Sequence, residues 1–419
     1  MRDILIAHTE ILPGADLQLL GDAPVLYHCH HFNLFLDQTI DDAIGFHAGE
    51  QLRRRAAHAA ARQILASLAE RLDRRTPAEI IDLAQTLFAA MGHGRLSIEA
   101  DTKGGKAHGE HLHYGHSWME KYGHLVRRRA PADAVAAGFA AAAVELAQGL
   151  APGALCASEH ACVAMREPAC SFEVVPQDEA APLPEVIDRA ALEANLGKVQ
   201  SGLHEDRISK IVEGLRAFLA GVAGDDRGLV QAFGVYVTLH FANYYNRISY
   251  EALERVRARS EALLPVFEDL LRESGQVCVF HTFGGILLSP EWEGLVGAPT
   301  GDVEEHVIGC TAIARALGFG HWVITELDPA RRLVLRTPST YETAYFAGGR
   351  RATAPSSYFL QGAAVAFMEL AHRVPWTGRP TLSDNFYRTL FRRGRTWRVE
   401  QTMDTARGDA CCEVVVTPL

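Results

Sequence analysis

Apolar and polar positions along the chain follow the same order of elements twice. In the first half, an apolar segment at residues 25–36 precedes an amphipathic segment at residues 50–72. In the second half, residues 235–245 and 251–272 repeat this order. Apolar side chains at intervals of three and four residues are typical of a helix with one buried face. The pattern therefore predicts that each half begins with an apolar segment and a long amphipathic helix.

A second helix, two short strands, a third helix and a closing hairpin are predicted next in each half. The second helix of the first half begins at a capping box, with Thr76 as N-cap, Pro77 in the first turn and Glu79 reaching back. An extra apolar stretch at residues 276–288 predicts an additional pair of strands. Helices and strands without regular βαβ alternation indicate an α+β fold with a small antiparallel sheet in each half. The remaining predicted elements are helices at 131–148, 303–317 and 355–372, and strands at 95–100, 107–114, 321–327 and 332–336.

Short motifs recur in the same order in both halves, which indicates a tandem duplication. We therefore predict two homologous domains, residues 1–178 and 195–419, with a linker at residues 179–194. A Pro-rich, acidic segment at residues 176–184 marks the start of that linker. The matched motifs are Pro131-Ala132-Asp133 with Pro355-Ser356-Ser357, Gly138 with Gly362, Met91-Gly92-His93-Gly94 with Leu317-Gly318-Phe319-Gly320, and His30-x-x-Asn33 with His240-x-x-Asn243.

Two thiols and a carboxylate lie at metal-binding spacing in the closing hairpin of the first half. Glu159, Cys162 and Cys170 form the pattern E-x2-C-x7-C in a segment that alternates like a β-hairpin. Such a hairpin can bring the three groups to one ion, and zinc accepts sulfur and oxygen ligands in a tetrahedral arrangement. The alternative interpretation is a buried cysteine pair beside a surface carboxylate.

A histidine-rich segment of the first half offers a second candidate site. On an extended strand, His111 and His113 share one face and Glu110 takes the other. One interpretation is a mononuclear or dinuclear iron or zinc site with an open position for substrate. The other is that these histidines are ordinary polar side chains, or pocket residues that hydrogen-bond a ligand. In the metal-site interpretation the ligands are His111, His113, His116 and His30, with Glu110 as a further ligand or as a base.

Composition and charge narrow the function classes. The net charge of −10 argues against a nucleic-acid surface. No apolar run reaches the roughly 20 residues that span a bilayer, and the N-terminus has no long apolar targeting segment, so we expect a cytoplasmic protein without a membrane partner. The 8 cysteines suit reduced thiols and metal binding better than disulfides. Standard catalytic signatures and a helix-turn-helix are absent from the sequence, so no motif names a reaction.

A spaced set of residues between positions 131 and 174 matches a known pattern. The set is Pro131, Gly138-Phe139, Glu159-x-x-Cys162-x-Ala164-Met165 and Cys170-x-Phe172-Glu173-Val174. These residues resemble the 4-vinyl reductase domain family, also called hydrocarbon-binding domains, which includes the sensory domains of phenol-responsive bacterial regulators. The resemblance covers residues 90–178 and, less closely, 315–416.

The resemblance implies that Glu159, Cys162 and Cys170 hold a structural zinc ion. In the phenol sensors the first ligand is a cysteine shortly after the proline, and Asp133 stands at that position here. Asp can ligate zinc, and Cys156 is the other candidate for the fourth ligand. A site closed by four protein ligands supports structure and does no chemistry. We expect no metal at the corresponding second-half positions, which read Ser357, Glu400, Met403 and Cys411.

The resemblance also implies a pocket for a small apolar or aromatic molecule in each half. The two halves would pack as an internal pseudo-dimer, and the chain could form a homodimer. The sequence thus predicts a metal-dependent enzyme that acts on a small hydrophobic or aromatic molecule, with iron or a second zinc at the histidines. The alternative is a non-catalytic sensor, carrier or scaffold with one structural zinc. The implied pocket lining is Phe32, Tyr114, Trp118 and Phe139 in the first half, and Tyr244, Trp322, Tyr341 and Tyr345 in the second.

Overall fold

The structure, a computed structural model, describes residues 2–177, 182–199, 201–346 and 350–419 and has an α+β fold. Its helices are α1 (Arg2–His8), α2 (His30–Ile44), α3 (Phe46–Arg71), α4 (Pro77–Ala90), α5 (His113–Tyr122), α6 (Ala134–Ala147), α7 (Arg189–Ala194), α8 (Glu205–Gly221), α9 (Ala242–Arg259), α10 (Leu264–Cys278), α11 (Gly284–Leu287), α12 (Pro290–Val296), α13 (Val303–Ala316), α14 (Tyr358–Arg373) and α15 (Asp384–Tyr387). Its strands are β1 (Thr9–Leu12), β2 (Leu17–Leu20), β3 (Ala23–Cys29), β4 (Ser97–Ala100), β5 (Gly105–Gly109), β6 (Leu155–Ala161), β7 (Cys170–Pro176), β8 (Val230–Ala232), β9 (Val235–Phe241), β10 (Val323–Asp328), β11 (Arg332–Thr337), β12 (Trp397–Met403) and β13 (Cys412–Pro418).

A five-stranded antiparallel sheet joins the two halves of the chain. Its strand order is β1–β2–β3–β9–β8, so β3 of the first half pairs with β9 of the second. The pairing extends from Val25 opposite Phe241 to Cys29 opposite Val237. Both strands are largely buried, and each leads directly into a helix, α2 or α9. Backbone hydrogen bonds therefore make the halves one continuous structure.

Each half also has its own four-stranded antiparallel sheet with the same strand order. The orders are β4–β5–β7–β6 in the first half and β10–β11–β13–β12 in the second. The hairpin of each sheet is irregular at the same place, between Glu159 and Ala161 in β6 and between Gln401 and Met403 in β12. A bulge bends the strand and re-aims the side chains that follow it. Residues of the two hairpins can therefore be matched one to one.

Helices α6 and α14 pack on these sheets, and each contacts a long helix through a glycine at a matching place. Helix α3 packs against α6, and α10 packs against α14. A Cβ atom at Gly138 of α6 would collide with the carbonyl oxygen of Arg54 in α3. A Cβ atom at Gly362 of α14 would collide in the same way with the carbonyl oxygen of Arg272 in α10. Arg54 and Arg272 therefore occupy equivalent positions.

The turn before each four-stranded sheet accepts a backbone hydrogen bond from a strand of the opposite half. The amide of Tyr27 in β3 donates to the carbonyl oxygen of Leu317 at 3.0 Å, and the amide of Leu239 in β9 donates to that of Met91 at 2.9 Å. A glycine with positive φ follows both carbonyl residues and lets the chain turn sharply there. These reciprocal bonds place the N-terminal strand of each half against the core of the other.

Several sequence predictions are confirmed. Thr76 Oγ1 accepts from the amide of Glu79 at 3.3 Å, and the Glu79 carboxylate accepts from the amide of Thr76 at 2.9 Å, which is the predicted capping box. The predicted third helices are α6 and α14, and the helix predicted at residues 303–317 is α13. The closing hairpins are β6–β7 and β12–β13.

The extra pair of strands predicted at residues 276–288 is wrong. Helix α10 continues to Cys278, a π-helical turn at Val279–Phe283 follows, and α11 completes the segment. Most of these residues are buried. A short apolar run has no helical or strand period of its own, so its composition suits both.

Two further predicted boundaries differ from the structure. The helix predicted at residues 251–272 is the end of α9 and the start of α10, separated by an extended residue at Ser260. The strand predicted at residues 107–114 ends at Gly109, and the chain becomes helical at His113. In both places a local backbone change interrupts a continuous side-chain pattern.

The predicted linker is described in part. Residues 178–181 lie outside the described residues. Residues 182–188 form neither helix nor strand, and the segment then forms α7. Ile187 and Leu192 are buried, so this part of the linker packs against the body of the protein.

The histidines at equivalent places in the two halves are His28 and His240. Each is the second-to-last residue of its strand, β3 or β9, and each is fully buried. The sequence comparison matched His30 with His240, which is two residues out of register. Both surroundings are apolar and aromatic, so local similarity could not fix the register before the strand ends were known.

Candidate metal centre and buried histidine cluster

Asp133, Glu159, Cys162 and Cys170 come together in the first half. One ligand atom from each lies within 4.8 Å of all the others. Cys170 Sγ is 3.6 Å from Cys162 Sγ and 3.3 Å from Asp133 Oδ2, and Cys162 Sγ is 3.9 Å from Asp133 Oδ2. The amide of Asp133 donates to Glu159 Oε2 at 2.8 Å. We call these four residues the cysteine group.

Local backbone features of the hairpin aim its three side chains at one point. Glu159 stands at the bulge of β6, where the strand bends. Cys162 follows the strand and begins a 3₁₀ turn at Val163–Met165. Cys170 is the first residue of β7. The tight turn between them brings the two thiols to the same side of the hairpin.

Asp133 links the hairpin to two helices. It directly precedes α6, but its carboxylate does not cap that helix. Instead Oδ1 accepts from the amide of Tyr114 at 3.1 Å, and Oδ2 accepts from the amide of Gly115 at 2.9 Å. Both amides belong to the first turn of α5. The cysteine group therefore ties the start of α5 to α6 and to the hairpin.

The distances within the cysteine group suit a tetrahedral ion and exclude a disulfide. The sulfur–sulfur distance of 3.6 Å is far longer than the bond of about 2.05 Å in a disulfide. Zinc bonds of about 2.3 Å to sulfur and about 2.0 Å to oxygen give tetrahedral edges of about 3.8 and 3.5 Å. The three observed edges, 3.3, 3.6 and 3.9 Å, are close to these values. Glu159 Oε1 is buried without a hydrogen-bond partner among the described residues, so it can turn to an ion.

Burial makes it costly to hold four acidic groups together without a cation. Burial and the adjacent Cys162 raise the pKa of Asp133 well above its usual value, and burial and Asp133 raise the pKa of Glu159. The hydrogen bond from Cys170 lowers the pKa of Cys162 to about 6, and the same contact raises the pKa of Cys170. A divalent cation at the centre would replace protons that these groups otherwise keep.

Cys156 does not reach the cysteine group. It lies on β6 opposite Val175, near the far end of the hairpin. The fourth member is therefore Asp133 rather than Cys156.

The second half carries hydrogen-bonding residues at the equivalent positions. The bulge and the strand ends identify them as Ser357, Gln401, Asp404 and Cys412. The amide of Ser357 donates to Gln401 Oε1 at 3.1 Å, the counterpart of the bond between Asp133 and Glu159. Asp404 accepts from the amide of Ser356 at 2.7 Å and from that of Ala406 at 2.9 Å.

The sequence comparison placed Glu400, Met403 and Cys411 at these second-half positions, each one residue too early. In a strand, a slip of one residue turns a side chain to the opposite face. Glu400 is accordingly exposed, whereas the residue after it is buried. The expectation that this half holds no metal stays a prediction.

The structure separates the histidines that were expected to share a metal. His113 begins α5 and is buried, whereas His111 and Glu110 precede the helix and line an open groove of about 600 Å³. His116 lies one turn along α5, with its ring centroid 5.6 Å from that of His111. His30 begins α2 and accepts, through Nδ1, an amide of β9 at 3.2 Å. None of them belongs to a converging metal-ligand group of the described residues.

His113 instead belongs to a buried cluster with His93 and His240. The ring centroid of His93 is 4.7 Å from that of His240 and 6.1 Å from that of His113. His240 comes from β9 and so from the other half. Burial lowers the pKa of all three imidazoles, which are therefore neutral near pH 7. The aromatic side chains around the cluster are Phe88, Tyr114, Phe241 and Tyr244.

Hydrogen bonds satisfy half of the ring nitrogens in this cluster. His240 Nδ1 accepts the amide of Phe241 at 2.8 Å, so its Nε2 carries the proton and faces Tyr114 Oη at 3.0 Å. His113 Nε2 accepts from Asn33 Nδ2 at 2.9 Å, which leaves the proton on Nδ1. That Nδ1 and both ring nitrogens of His93 are buried and have no partner among the described residues.

The equivalent place in the second half is aromatic. Phe319 takes the position of His93 within the shared glycine motif. Tyr341 takes the position of His113, since each lies four residues after its strand, β11 or β5. His28 packs against both, at centroid distances of 4.9 Å to Phe319 and 6.0 Å to Tyr341. The first half therefore has histidines at two positions where the second half has Phe319 and Tyr341.

The four aromatic residues expected to line one pocket lie in three places. Tyr114 borders the buried histidines directly, and Phe139 does so through Phe88. Trp118 packs near the end of α5, 5.9 Å from Tyr122 between ring centroids. Phe32 stacks on His28 of the second-half cluster, at a centroid distance of 3.6 Å.

Residues brought together across the halves were missed from the sequence. His93 and His240 stood out only as members of repeated motifs. His31, His281 and Asp384 also converge, as a second group whose ligand atoms lie within 4.8 Å of one another. No spacing rule connects such distant segments, because the β3–β9 pairing that brings them together is itself a long-range contact.

Comparisons with known proteins give a distant structural neighbour and no family. No family model matches the chain, and no curated protein matches it. The chain is similar to a crystal structure of the phenol-responsive sensory domain of the transcription activator PoxR with phenol, at 15% sequence identity and a TM-score of 0.34. The match covers 42% of this chain and 88% of that chain. A likeness this remote carries no functional conclusion.

The fold and the cysteine group together define the class of protein. It is an α+β protein with a largely buried Asp-Glu-Cys-Cys set that could hold a metal ion. None of the described helices is both long and apolar enough to cross a bilayer.

Proposed function

We propose that the protein binds a small aromatic molecule with a hydroxyl group in the core of its first half. A structural metal ion in the cysteine group would hold the helix that presents His113 to this molecule. The observation that carries the proposal is the set of unpartnered ring nitrogens on His93 and His113, enclosed by aromatic side chains. Each such buried atom costs about 1–3 kcal/mol unless another group bonds it.

The chemistry of these nitrogens selects the ligand class. His113 Nδ1 carries a proton and can donate it to an oxygen. A hydroxyl group both accepts and donates, so it can also meet a ring nitrogen of His93. Phe88 and Phe241, which lie against His93, offer ring faces and edges to an aromatic ligand. The sequence resemblance to hydrocarbon-binding domains supports the same ligand class.

The cysteine group would act on this site through α5. Four protein side chains around one ion leave no coordination position for a substrate, which favours a structural role. Asp133 accepts from the first amides of α5, directly after His113 in the chain. Loss of the ion would leave buried acidic groups facing each other and release that end of α5. The groove lined by Glu110 and His111 borders the same segment, and a ligand would enter from there.

We also infer that the chain arose by internal duplication and packs as a pseudo-dimer. The equal strand orders, the matching bulges and the paired glycine contacts support this inference. The first half would then carry the binding function, and the second half, filled by aromatic rings, would support it. The resulting function is closer to a sensor or carrier than to an enzyme, since His111 and Glu110 lie apart from His113.

Phenol is a suitable probe for the proposed site. We expect wild-type protein to bind phenol in isothermal titration calorimetry, and His113→Phe to bind it at least about tenfold more weakly, because one hydrogen bond to the hydroxyl is lost. Tyr341→Phe is the matched control, because it removes a polar atom at the equivalent second-half position. Equal affinities for His113→Phe and wild type would rule out this site.

A further inference from the structure

A second set of metal-binding side chains lies where α2, the π-helical turn and α15 meet. His31, His281 and Asp384 contribute ligand atoms that lie within 4.8 Å of one another. His281 Nε2 is 3.4 Å from Asp384 Oδ1, and the rings of His31 and His281 stack with their centroids 3.7 Å apart. Both histidines line a cavity of about 450 Å³. The set draws on both halves of the chain and exists only because they share a sheet.

We propose that His31, His281 and Asp384 bind a divalent transition-metal ion whose remaining coordination positions open to this cavity. Two imidazoles and one carboxylate form the donor set of open non-haem iron and catalytic zinc sites. Three protein ligands leave room for water or a small ligand, and a cavity of this volume lies in the range of small-molecule sites. The proposal does not depend on the phenol site or on the cysteine group.

The ammonium group of Lys121 already occupies this place as a cation. Its Nζ is 2.8 Å from His31 Nδ1 and 3.3 Å from Asp384 Oδ1. These two acceptors are also two of the three groups that a metal ion would use. The ammonium and a metal ion therefore compete, and metal binding requires the lysine side chain to move away. Replacing the lysine by an uncharged, unbranched side chain should therefore strengthen metal binding.

The backbone at His281 has the irregularity often found at functional sites. His281 lies in the middle of the π-helical turn Val279–Phe283, within an otherwise α-helical segment. Such turns are rare and occur frequently at functional sites, because they re-aim side chains that a regular helix would direct elsewhere. Here the turn directs His281 toward α15 and the cavity.

The place that the repeat relates to this one has amides instead of the two imidazoles. Asn243 is the second residue of α9, as His31 is of α2. Gln63 lies nine residues after Arg54, and His281 lies nine residues after Arg272. The carbonyl oxygens of these two arginines face the glycines of α6 and α14. Asn243 Nδ2 donates to Gln63 Oε1 at 2.9 Å. A hydrogen bond between two amides therefore stands where the rings of His31 and His281 stack. Packing of these helices therefore does not require imidazoles.

The two remaining residues also stand on features that differ between the halves. Asp384 belongs to the segment between α14 and β12, which is much longer than the connection between α6 and β6. Lys121 belongs to α5, whose place in the second half is taken by a short 3₁₀ helix at Thr343–Phe346. Asp384 and Lys121 thus belong to segments that differ between the halves, and His31 and His281 differ in side chain from their counterparts, as the residues of a dedicated site would.

Cobalt(II) binding to the full-length chain tests the proposal. We expect Lys121→Met to bind one more cobalt ion per chain than Lys121→Met/His281→Gln in equilibrium dialysis, and to bind that ion at least about tenfold more tightly than wild type. Glutamine is the replacement because an amide occurs at the equivalent position. Equal cobalt content in the two variants would overturn the proposal.

A spectroscopic readout separates this site from the cysteine group. Cobalt in the cysteine group gives a thiolate-to-metal absorption band, whereas the additional ion should bind without changing that band. A rise of the band with the additional ion would place it on sulfur and contradict the proposal. If His281→Gln is shown by circular dichroism to misfold, Lys121→Met/His31→Asn replaces it, and retention of the additional ion by that folded variant would be equally contradictory. Phenol affinity should be the same in all these variants, so the two proposals fail independently.

Discussion

Glu342 is a buried carboxylate that stands near the start of α14. It accepts from the amides of Phe359 at 2.8 Å and Leu360 at 3.3 Å. In the first half, the Asp133 carboxylate instead accepts from amides at the start of α5. Burial raises the pKa of Glu342 to about 8. One carboxyl group thus holds the start of a helix in each half. In the first half it is Asp133, a potential metal ligand, and in the second half it is Glu342, which is protonated at neutral pH.

The raised pKa of Glu342 predicts a pH dependence of stability. A carboxyl whose pKa is higher in the folded state binds its proton more tightly there, so its stabilising effect is complete below about pH 4.5 and is lost as the pH rises to about 8. Between pH 5 and pH 8 this effect lowers the free energy of unfolding by roughly 3 kcal/mol, and we expect that decrease to be absent from Glu342→Gln. Urea unfolding at several pH values measures it, with the exposed Glu254→Gln as control. An unchanged pH dependence would contradict the assignment.

At the scale of single elements, contact between helices depends on two glycines. Gly138 and Gly362 let α3 and α10 approach so closely that a methyl group would overlap a carbonyl oxygen. The sequence comparison found both glycines as repeat markers, but only the packed helices show why a side chain does not fit. This contact sets each long helix against the helix that packs on the four-stranded sheet.

Substitution of either glycine should destabilise the protein. Alanine normally favours a helix over glycine by about 1 kcal/mol, but here the added methyl group must displace the backbone of a neighbouring helix. We expect Gly138→Ala and Gly362→Ala to lower the free energy of unfolding by about 1–3 kcal/mol. Gly294→Ala in α12 is the control, since a Cβ there meets nothing within 4 Å. Equal thermal midpoints for all three variants would contradict the close contact.

Much of the element order could be read from the sequence, and its exceptions arise from contacts between elements. The capping box at Thr76 and the alternation of the closing hairpin depend on neighbouring residues, so they were predicted correctly. The step from strand to helix before His113 depends on Asp133, which lies on a different element. The one-residue error in matching the two hairpins came from the adjacent Cys411 and Cys412, because only the bulges and the strand ends show which of them matches Cys170. Such features follow from contacts between elements, which local periodicity does not contain.

At the scale of the whole molecule, the candidate sites depend on the joining of the two halves. The β3–β9 pairing brings His240 to the first-half cluster and His31 to His281. A largely buried ion-pair network reinforces this joining. Asp16 of the first half lies 2.7 Å from Arg315 Nε, 2.8 Å from Arg216 Nη2 and 2.6 Å from His321 Nδ1 of the second. The sequence could not reveal these pairs, because their members are far apart in the chain.

Asp16→Asn tests this network. Although burial opposes ionisation, the hydrogen bond from His321 and the two guanidinium charges hold the pKa of Asp16 well below its usual value. The contribution of ionised Asp16 to the free energy of unfolding is therefore complete above about pH 4 and is lost only as the pH falls further. We expect Asp16→Asn to lower the free energy of unfolding by about 2–4 kcal/mol at pH 7 and by a similar amount at pH 5. Asparagine tolerates the positive φ of 52° at this position, so the change removes mainly the charge.

The exposed Asp82→Asn is the control for the Asp16 prediction, and it should leave stability within about 0.5 kcal/mol of wild type. A loss for Asp16→Asn that is no larger than this would show that the network does not hold the halves together.

The metal content of the purified full-length protein is the most direct test of the central claim, that the cysteine group holds an ion. We expect elemental analysis to find one zinc ion per chain in the wild type and in Cys412→Ser, which changes the equivalent buried thiol of the second half. We expect Cys162→Ser to lose that ion, because it removes one of the two sulfur ligands. A wild-type protein without metal, or a Cys162→Ser protein that keeps it, would contradict the account.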